Sequence, residues 1–238
     1  MIQTLKSRLD LPQAIFFDAM GTLFDLKTSV GDIYQQYAAQ YGVVADPMLL
    51  NVAFRNSFSS APPLAFKSQS TTIEQQEFAW WQEVVKSTFA ELNLWEQFND
   101  FAGFFAEIYQ YFATKEPWYV FPDTVSSLQK WKNHGVQLGV ISNFDSRLTE
   151  ILEILELRRF FSSITISSRA GFAKPDQNIF EIALSKHQIQ PQQAWHIGDN
   201  ITADYQGAKN AGMKAFWLNR KSNSLNLENQ LPNLISLG

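Results

Sequence analysis

Short apolar runs alternate with helix-like segments at both ends of the chain, and this alternation constrains the fold more than any other feature. The runs typical of buried strands are Ala14–Asp18, Val136–Ser142, Ile164–Ser167, Ala194–Gly198 and Met213–Leu218. The helical patterns between them are Thr124–Asn133, Arg147–Leu157, Gln177–Lys186 and Ala203–Asn210. Strands that are apolar throughout and separated by helices indicate a parallel sheet covered on both faces. We therefore predict an α/β fold with a doubly wound parallel sheet.

A segment rich in aromatic residues interrupts this alternation after the first strand. Residues 26–118 hold 19 of the 34 aromatic residues of the chain, and their apolar positions recur at helical spacing. The helix starts are marked by capping residues, namely Ser29, Asp46 and a possible capping box of Thr71 with Glu74. A fourth helical stripe covers residues 98–112. We predict an α/β core domain of residues 1–25 and 119–238, interrupted by an all-helical domain of four helices at 26–118 with an aromatic core.

Composition excludes several classes of function. The chain has 238 residues and no cysteine, which rules out a disulfide framework, a thiolate zinc site and a cysteine nucleophile. It carries 19 Lys and Arg against 23 Asp and Glu, and this net charge of −4 argues against nucleic-acid binding. The apolar run at 14–17 is too short for the core of a signal peptide or for a membrane span. We therefore expect a cytoplasmic protein that binds neither nucleic acid nor membranes, and the oligomeric state stays open.

Polar residues follow four of the predicted strands, at the sheet edge where ligands bind in open parallel sheets. They are Asp18, Gly21 and Thr22 after the first strand, Ser142 and Asn143 after the second, Lys174 in the loop beyond the third, and Asp199 with Asp204 after the fourth. Each has an ordinary explanation when taken alone, because aspartates often cap helices and Gly-Asp often forms a turn. Their occurrence in order at one edge predicts a single polar site.

The residue types in this predicted site suit phosphoryl transfer. An aspartate such as Asp18 can attack phosphorus and form an aspartyl-phosphate, which divides one difficult step into two. Asp199 would help to hold Mg²⁺, a cation that prefers oxygen ligands and offsets repulsion between an anionic nucleophile and an anionic substrate. Lys174 and Ser142 would stabilise the transferring oxygens. Gly21 would allow a sharp turn that offers backbone amides to the phosphate.

Four motifs in this order resemble the haloacid dehalogenase (HAD) superfamily over nearly the whole chain. They are FFDAMGTLF at 16–24, VISN at 140–143, GFAKPDQNIF at 171–180 and GDNITADYQGAKNAG at 198–212. The resemblance implies a Rossmann-like core, and it implies that the inserted helices form a cap over the active site. The implied site comprises catalytic Asp18, Ser142 and Lys174, phosphate-binding Gly21, Thr22 and Asn143, and Mg²⁺ ligands from Asp18, Asp199 and the backbone carbonyl of Met20, with Asp204 in support. The stretches 53–89 and 140–148 further resemble one particular subgroup of this superfamily.

Met20 departs from the pattern of HAD phosphatases, which usually carry a second aspartate two residues after the nucleophile. That aspartate protonates the leaving alcohol and then activates water, and such general acid–base help contributes about 10²–10⁴-fold. A thioether transfers no proton, so we expect either a substrate with a good leaving group, such as an acyl phosphate, or slow turnover.

Three hypotheses follow from these residues. The preferred one is a Mg²⁺-dependent phosphohydrolase that acts on a phosphorylated small molecule. The second is a metal- and phosphate-binding protein that has lost catalysis and serves a regulatory role. The third is a carbon–halide hydrolase, because the dehalogenases of the superfamily also lack the second aspartate. Those enzymes work without a metal and do not keep the Gly198-Asp199 pair, which this sequence retains.

A few other residues have weaker claims to a function. Arg55 is the only arginine in the inserted helices, and it either meets a substrate carboxylate or phosphate or lies at the surface. His196 is expected to pack inside the fourth strand, and Arg220 is expected at the surface. The adjacent Trp80 and Trp81 are expected in the core of the insertion, with one indole facing the cleft.

Overall fold

The computed structural model describes residues 11–67, 71–221 and 227–237. Within these ranges the chain forms eight strands, which are β1 Ala14–Phe17, β2 Phe24–Leu26, β3 Trp118–Val120, β4 Gln137–Ser142, β5 Ser163–Ile166, β6 Ala194–Gly198, β7 Lys214–Leu218 and β8 Gln230–Leu231. Six of them make one sheet in the order β5-β4-β1-β6-β7-β8, and every neighbouring pair is parallel. The predicted α/β fold with a parallel sheet is confirmed.

The α-helices of the described residues are α1 Val30–Ala38, α2 Pro47–Ser60, α3 Ile73–Glu91, α4 Phe101–Tyr111, α5 Thr124–Asn133, α6 Leu148–Ile154, α7 Ser167–Ala170, α8 Gln177–Ser185 and α9 Gly207–Asn210. A π-helical segment, Ile201–Gln206, leads directly into α9. Across the part of the chain that the structure describes, no helix combines the length and the apolar character that crossing a membrane requires.

Strand β1 shows why the sheet is covered on both faces. Its side chains alternate, so that Ile15 and Phe17 pack in one cluster with residues of α5 and α6, and Phe16 packs in another with residues of α8 and α9. All four residues of β1 are fully buried. Burial of an apolar side chain of this size stabilises the fold by about 1.5–3 kcal/mol, so β1 anchors both layers.

The order of the strands reverses beside β1, which lies between β4 and β6. From β1 the chain passes to β4 and β5 on one side, and it then crosses to β6, β7 and β8 on the other. Phe17 at the end of β1 is paired with Val140 of β4 and with Ile197 of β6. The carboxyl ends of these three strands therefore meet at the edge where open α/β sheets bind ligands.

The predicted strands of the main sheet agree with the observed ones to within one residue at each end. The predicted helix Arg147–Leu157 is too long, because Glu156 has a φ of 60° that lies outside the right-handed helical region. The segment predicted as a helix from Ala203 begins at Ile201, since the Asn200 side chain accepts hydrogen bonds from two backbone amides and caps it there. Strands β2, β3 and β8 were not predicted.

Helices α1–α4 pack around an aromatic core, as predicted for this segment. Tyr34, Phe89 and Phe104 are buried at its centre, where their rings form edge and stacked contacts. Gly31 of α1 allows α2 to come close, because a Cβ at this position would overlap the carbonyl oxygen of Pro47. The insertion is therefore stabilised by its own hydrophobic core.

The four inserted helices leave and rejoin the sheet through β2 and β3. These two strands are antiparallel, and Leu26 at the end of β2 pairs with Trp118 at the start of β3. The helices thus extend from a two-stranded stem beyond the carboxyl edge of the main sheet. The division of the chain into residues 26–118 and the two flanking segments stays a prediction.

The predicted capping box at Thr71 and Glu74 is wrong by one residue. The N-cap of α3 is Thr72, whose side chain accepts from the amide of Gln75, and the Gln75 side chain accepts from the amide of Thr72. The reason is that an N-cap must directly precede the first helical residue, which is Ile73. Ser29 and Asp46 cap α1 and α2 as predicted.

This correction gives a direct test by paired substitutions. Thr72→Ala removes the hydroxyl that satisfies a free amide of α3, so we expect the free energy of unfolding to fall by about 1 kcal/mol. Thr71→Ala removes the neighbouring hydroxyl, which makes no capping bond, and we expect a change within about 0.5 kcal/mol. Urea unfolding followed by circular dichroism measures both, and equal losses would contradict the assigned cap.

Candidate active site

Asp18 is the first residue after β1, and its carboxylate lies at the centre of the polar site. The Lys174 ammonium is 2.7 Å from Oδ1 of Asp18, and the Ser142 hydroxyl donates to the same oxygen over 3.1 Å. The aspartate is almost completely buried, and burial raises its pKa while the Lys174 charge opposes that shift. The structure thus brings together the three residues that the sequence predicts as catalytic.

Lys174 uses all three of its ammonium protons within the protein. Its Nζ donates to Asp18, to Asp204 and to the backbone carbonyl of Ile141. Burial alone would lower the pKa of Lys174, but the two carboxylates outweigh this effect and raise it, so the amine is charged. In this geometry Lys174 holds Asp18 in place, and its contact with transferring oxygens stays a prediction.

Asn143 fixes the backbone of Lys174. Its side-chain Oδ1 accepts from the Lys174 amide over 2.7 Å, and its Nδ2 donates to the Lys174 carbonyl over 2.8 Å. The pairing ties the loop before α8 to the end of β4. Asn143 also lines the cavity beside Asp18, so the predicted phosphate contact is geometrically open and stays a prediction.

Asp204 lies between Lys174 and His196, and its predicted supporting role stays a prediction. It pairs with Lys174, accepts from the amide of Asn200, and lies 3.0 Å from Nε2 of His196. Burial acts to raise the pKa of Asp204, but Lys174 and His196 outweigh it and hold that pKa below its usual range. A Cβ on Gly198 would overlap this carboxylate, which explains why glycine precedes Asp199.

His196 is completely buried in β6, as predicted, and besides packing there it makes a hydrogen bond to Asp204. Burial lowers its pKa and keeps the ring neutral, so Nε2–H donates to Asp204. Its Nδ1 has no hydrogen-bond partner in the described part of the chain. The histidine therefore orients Asp204, which in turn pairs with Lys174.

Asp199 lies at the open side of the site and faces the loop after β1. Gly21 has a φ of 83°, and a Cβ there would be 2.6 Å from Oδ2 of Asp199, so glycine is needed both for the turn and for the close approach. Partial desolvation in the cleft, followed by repulsion from Asp18 and Asp204, raises the pKa of Asp199 to about 7. These three carboxylates each place an oxygen within 4.8 Å of the others.

This donor set suits a hard divalent cation. Mg²⁺ prefers carboxylate and carbonyl oxygens over nitrogen or sulfur, and three clustered carboxylates beside one ammonium leave negative charge to be balanced. Burial and, after it, this same repulsion raise the pKa of Asp199. The residues present therefore fit the magnesium site that the sequence predicts, while the backbone carbonyl of Met20 as a ligand stays a prediction.

Thr22 and Arg220 stabilise the loop after β1 in a way that sequence reasoning missed. Thr22 is fully buried, and its carbonyl accepts from Arg220, whose guanidinium also pairs with Asp123 over 3.0 Å. Arg220 lies over the Phe121 ring, so the prediction of a surface position is wrong. The Thr22 side chain does not line the cavity beside Asp18, and its predicted phosphate contact stays a prediction.

A cavity of about 350 Å³ opens beside Asp18 and extends into the inserted helices. At the sheet end it is lined by Asp18, Met20, Lys174, Asp199 and Asp204. At the far end it is lined by apolar and aromatic residues of the insertion and its stem. Trp81 is among them, which confirms that one indole of the Trp pair faces the cleft, while Trp80 donates to the Pro62 carbonyl.

Arg147, and not Arg55, is the arginine that lines the cavity. Its guanidinium makes a bidentate pair with fully buried Asp145, donates to the Tyr109 carbonyl and lies 3.8 Å from the centre of the Tyr109 ring. Arg55 is exposed on α2 and does not line this cavity. Asp145 and Arg147 follow β4 closely at the carboxyl edge, so the criterion that selected Ser142 also applies to them.

Glu77 of α3 joins the insertion to the core, and no sequence signal marked it. This buried carboxylate accepts from the amide and hydroxyl of Ser146 over 2.9 and 2.7 Å and from the hydroxyl of Ser168. One turn later in the same helix, Trp81 donates to Asp145 over 2.7 Å. The loop after β4 is thus hydrogen-bonded to the inserted helices.

Two glycines with the same left-handed backbone test the close approach to Asp199. Gly135→Ala places a methyl group in open space, so we expect only the left-handed strain of about 1–2 kcal/mol. Gly21→Ala adds an overlap with the Asp199 carboxylate, and we expect a clearly larger loss of unfolding free energy. Chemical denaturation measures both, and equal losses would show that Asp199 does not lie against Gly21.

Comparison with known proteins agrees with this geometry. Residues 12–212 match the model of the haloacid dehalogenase-like hydrolase family. The haloacid dehalogenase-like hydrolase domain-containing protein 3 of Xenopus laevis is 33% identical over 87% of this chain and 84% of its own length, and it represents the subgroup that the sequence resembles.

Solved structures share the fold over nearly the whole chain. A dehalogenase superposes with a TM-score of 0.71 at 22% identity, covering 96% of each chain. The HAD hydrolase YfnB of Bacillus subtilis, solved bound to magnesium, gives 0.68 at 16% identity over 96% of this chain and 97% of its own. Identities this low carry the fold alone. Together with the match over residues 12–212, these comparisons establish that the chain belongs to the haloacid dehalogenase-like hydrolase family.

Proposed function

We propose that this hydrolase is a Mg²⁺-dependent phosphohydrolase that works through an aspartyl-phosphate on Asp18. The observation that carries the proposal is the convergence of Asp18, Asp199 and Asp204, whose carboxylate oxygens lie within 4.8 Å of one another. A nucleophilic carboxylate that approaches an anionic phosphate needs its charge balanced, and a carboxylate cluster that binds a cation does so.

The reaction requires two displacements at phosphorus. In the first, an Asp18 oxygen forms a bond to phosphorus while the bond from phosphorus to the leaving oxygen breaks, and the leaving group departs with that electron pair. In the second, water attacks the phosphorus, the Asp18 carboxylate leaves with its electron pair, and inorganic phosphate is released. Bound Mg²⁺ would neutralise charge on the phosphoryl oxygens in both steps.

The residues around Asp18 keep it ready for this attack. Lys174 and Ser142 both bind Oδ1 of Asp18, which leaves Oδ2 without a hydrogen bond to either residue. Because Asn143 and His196 hold Lys174 and Asp204 in turn, the nucleophile needs little rearrangement before attack.

Met20 sets the limit on the leaving group. It lines the cavity two residues after the nucleophile, where no proton can be delivered to a departing alkoxide. The leaving group must therefore be stable as an anion, as in an acyl phosphate or another ester of an acidic hydroxyl.

A carbon–halide hydrolase is a further candidate, because halide leaves as an anion and needs no proton from position 20. The apolar lining of the cavity is compatible with a haloalkyl group. Three features disfavour it, namely the Asp199 carboxylate, the pairing of Arg147 with Asp145, and the pairing of Lys174 with Asp18 and Asp204. The two pairings leave no unpaired cation for a substrate carboxylate among the described residues that line the cavity.

Loss of catalysis need not preserve Asp18, Lys174 and Asp199 together, so their retention favours a hydrolase over a protein that only binds metal and phosphate.

Metal and phosphate binding can be tested without turnover. Mg²⁺ with beryllium fluoride should raise the melting temperature of the wild type, because a ligand that binds only the folded state at 100 times its Kd stabilises it by about 2.7 kcal/mol. Asp199→Ala should abolish this shift. Glu83→Ala, which removes an exposed carboxylate from α3, should keep it. An unchanged melting temperature of the wild type in the presence of Mg²⁺ and beryllium fluoride would contradict the metal site.

The role of Met20 can be tested with substrates of different leaving groups. We expect the wild type to hydrolyse acetyl phosphate with Mg²⁺ and to hydrolyse glycerol phosphate poorly. Met20→Asp should raise hydrolysis of glycerol phosphate by about 10²–10⁴-fold, because it restores a proton donor. Met48→Asp makes the same chemical change at an exposed position of α2 and should have no such effect.

The same assay separates the three hypotheses. Metal-independent halide release from 2-chloropropionate would contradict the phosphohydrolase hypothesis and support the carbon–halide hydrolase. No turnover of acetyl phosphate or p-nitrophenyl phosphate would favour the non-catalytic protein. Phosphate release that requires both Mg²⁺ and Asp18 would support the proposal.

A further inference from the structure

The two ends of the cavity beside Asp18 differ in chemistry. The sheet end carries the carboxylates and Lys174, whereas the end inside the insertion is apolar. This second end, the aromatic chamber, is lined by Leu26, Val30, Tyr34, Phe54, Phe58, Trp81, Val85, Phe105, Ile108, Tyr109, Phe112 and Trp118. A chamber lined in this way favours an apolar body over a sugar or a polyol, whose hydroxyls would lose their hydrogen bonds to water.

The charges that line the cavity are already balanced within the protein. Among the described lining residues the cations are Lys174 and Arg147. Lys174 is held by two carboxylates and a carbonyl, and Arg147 is held by bidentate pairing with Asp145. A second anionic group on the substrate would find no unpaired cation here, so the organic part of the substrate, which we call its body, is neutral.

The Tyr34 hydroxyl is a polar group of the chamber that remains available to a ligand. Tyr34 is 98% buried and lines the cavity, and its hydroxyl has no hydrogen-bond partner among the residues that the structure describes. Its ring is fixed against Phe54, Phe89 and Phe104. Burial raises the pKa of Tyr34 well above its usual value, and the positive charge of Arg147 only partly opposes this shift, so the hydroxyl is a neutral donor. A buried hydroxyl of this kind gains by hydrogen bonding to a ligand.

We propose that the substrate is an aryl phosphate with a neutral body, an inference that rests on the phosphohydrolase activity proposed above. Its ring occupies the aromatic chamber, its phosphate lies at Asp18, and a hydrogen-bonding substituent on the ring meets the Tyr34 hydroxyl. Tyr34 is then a specificity-determining residue that touches the substrate far from the reacting bond.

The chemistry at position 20 favours the same substrate. When Asp18 attacks phosphorus, the aryl oxygen leaves with the electron pair of the broken bond as a phenolate, which takes a proton from solvent afterwards. A phenol of the tyrosine type has a pKa of about 10, far below that of water. A phenolate therefore departs without the acid that Met20 cannot provide, whereas an ordinary alkoxide does not. Leaving-group acidity admits an acyl phosphate or an aryl phosphate, and the lining of the chamber, which is an independent feature, favours the aryl ester.

The size of the whole cavity sets an upper limit on the substrate, including its phosphate. A cavity of about 350 Å³ is near the lower end of the range of about 300–1,000 Å³ that holds drug-sized ligands. It suits a single substituted ring beside a phosphate and is too small for a folded phosphopeptide. We therefore expect a small phenolic ester.

Binding can be measured apart from turnover by calorimetry with Mg²⁺ and two phosphonates. Phenylphosphonate should bind the full-length protein on the order of tenfold more tightly than methylphosphonate, because its ring buries apolar surface. Equal affinities would overturn the assignment of the chamber. If phenylphosphonate binds more tightly but no phosphate ester is hydrolysed, the phosphohydrolase fails while the chamber assignment stands.

Tyr34 is tested with phenyl phosphate and the 2-, 3- and 4-hydroxyphenyl phosphates. We expect one isomer to have a KM about threefold to tenfold below that of phenyl phosphate, in line with one added hydrogen bond. In Tyr34→Phe this ratio should fall to near one. Tyr37→Phe removes a hydroxyl one turn further along α1 and away from the cavity, and it should keep the ratio.

Two outcomes overturn the substrate class. If acetyl phosphate is hydrolysed while the aryl phosphates are turned over no faster than glycerol phosphate, the phosphohydrolase stands and the aryl substrate is wrong. If the preferred isomer keeps its advantage in Tyr34→Phe, the Tyr34 contact is wrong. The aryl substrate is supported if kcat/KM for aryl phosphates is at least tenfold above that for glycerol phosphate. The Tyr34 contact is supported if the KM advantage of the preferred hydroxyphenyl isomer is lost in Tyr34→Phe.

Discussion

The buried ammonium of Lys174 between Asp18 and Asp204 is the interaction on which the polar site depends. Two buried carboxylates this close together are tolerated because a cation lies between them, and removing one partner of such a group commonly costs about 3–5 kcal/mol. The three side chains come from the end of β1, from the loop before α8 and from the π-helical segment after β6. The pairing therefore fixes three distant parts of the chain at the edge of the sheet while it orients the proposed nucleophile.

The fold makes this pairing possible through the reversal of strand order at β1. Because β4 and β6 flank β1 in parallel, residues that follow each strand are delivered to one edge without a long loop. Glycine then removes the remaining obstacles, since Gly21 and Gly198 make room for the carboxylates of Asp199 and Asp204. Burial of the apolar strands thus brings the charged residues to one edge of the sheet. Once there, these residues need only small local changes, such as the room that glycine provides, to come into contact.

The sequence was informative wherever the argument required only order and periodicity. Apolar runs and their spacing predict five strands of the main sheet, the positions of Asp18, Ser142, Lys174 and Asp199 at one edge, and the aromatic core of the insertion. Contacts between distant segments were not predictable in this way. Glu77 lies on an ordinary helical stripe, and only the packing of α3 against the loop after β4 brings it to Ser146. Likewise, Arg220 was expected at the surface because nothing local indicates Asp123 as its partner.

The loop after β4 links substrate access to the geometry of the site. The same strand end that supplies Ser142 and Asn143 continues into Asp145 and Ser146, which are hydrogen-bonded to Trp81 and Glu77 of the insertion. Moving α3 away from the sheet must either break these bonds or carry the loop with it. Because Asn143 in turn holds the backbone of Lys174, a displacement of the inserted helices reaches the ammonium that orients Asp18. The packing of the inserted helices against the loop after β4 and the orientation of the proposed nucleophile are therefore parts of one hydrogen-bonded arrangement.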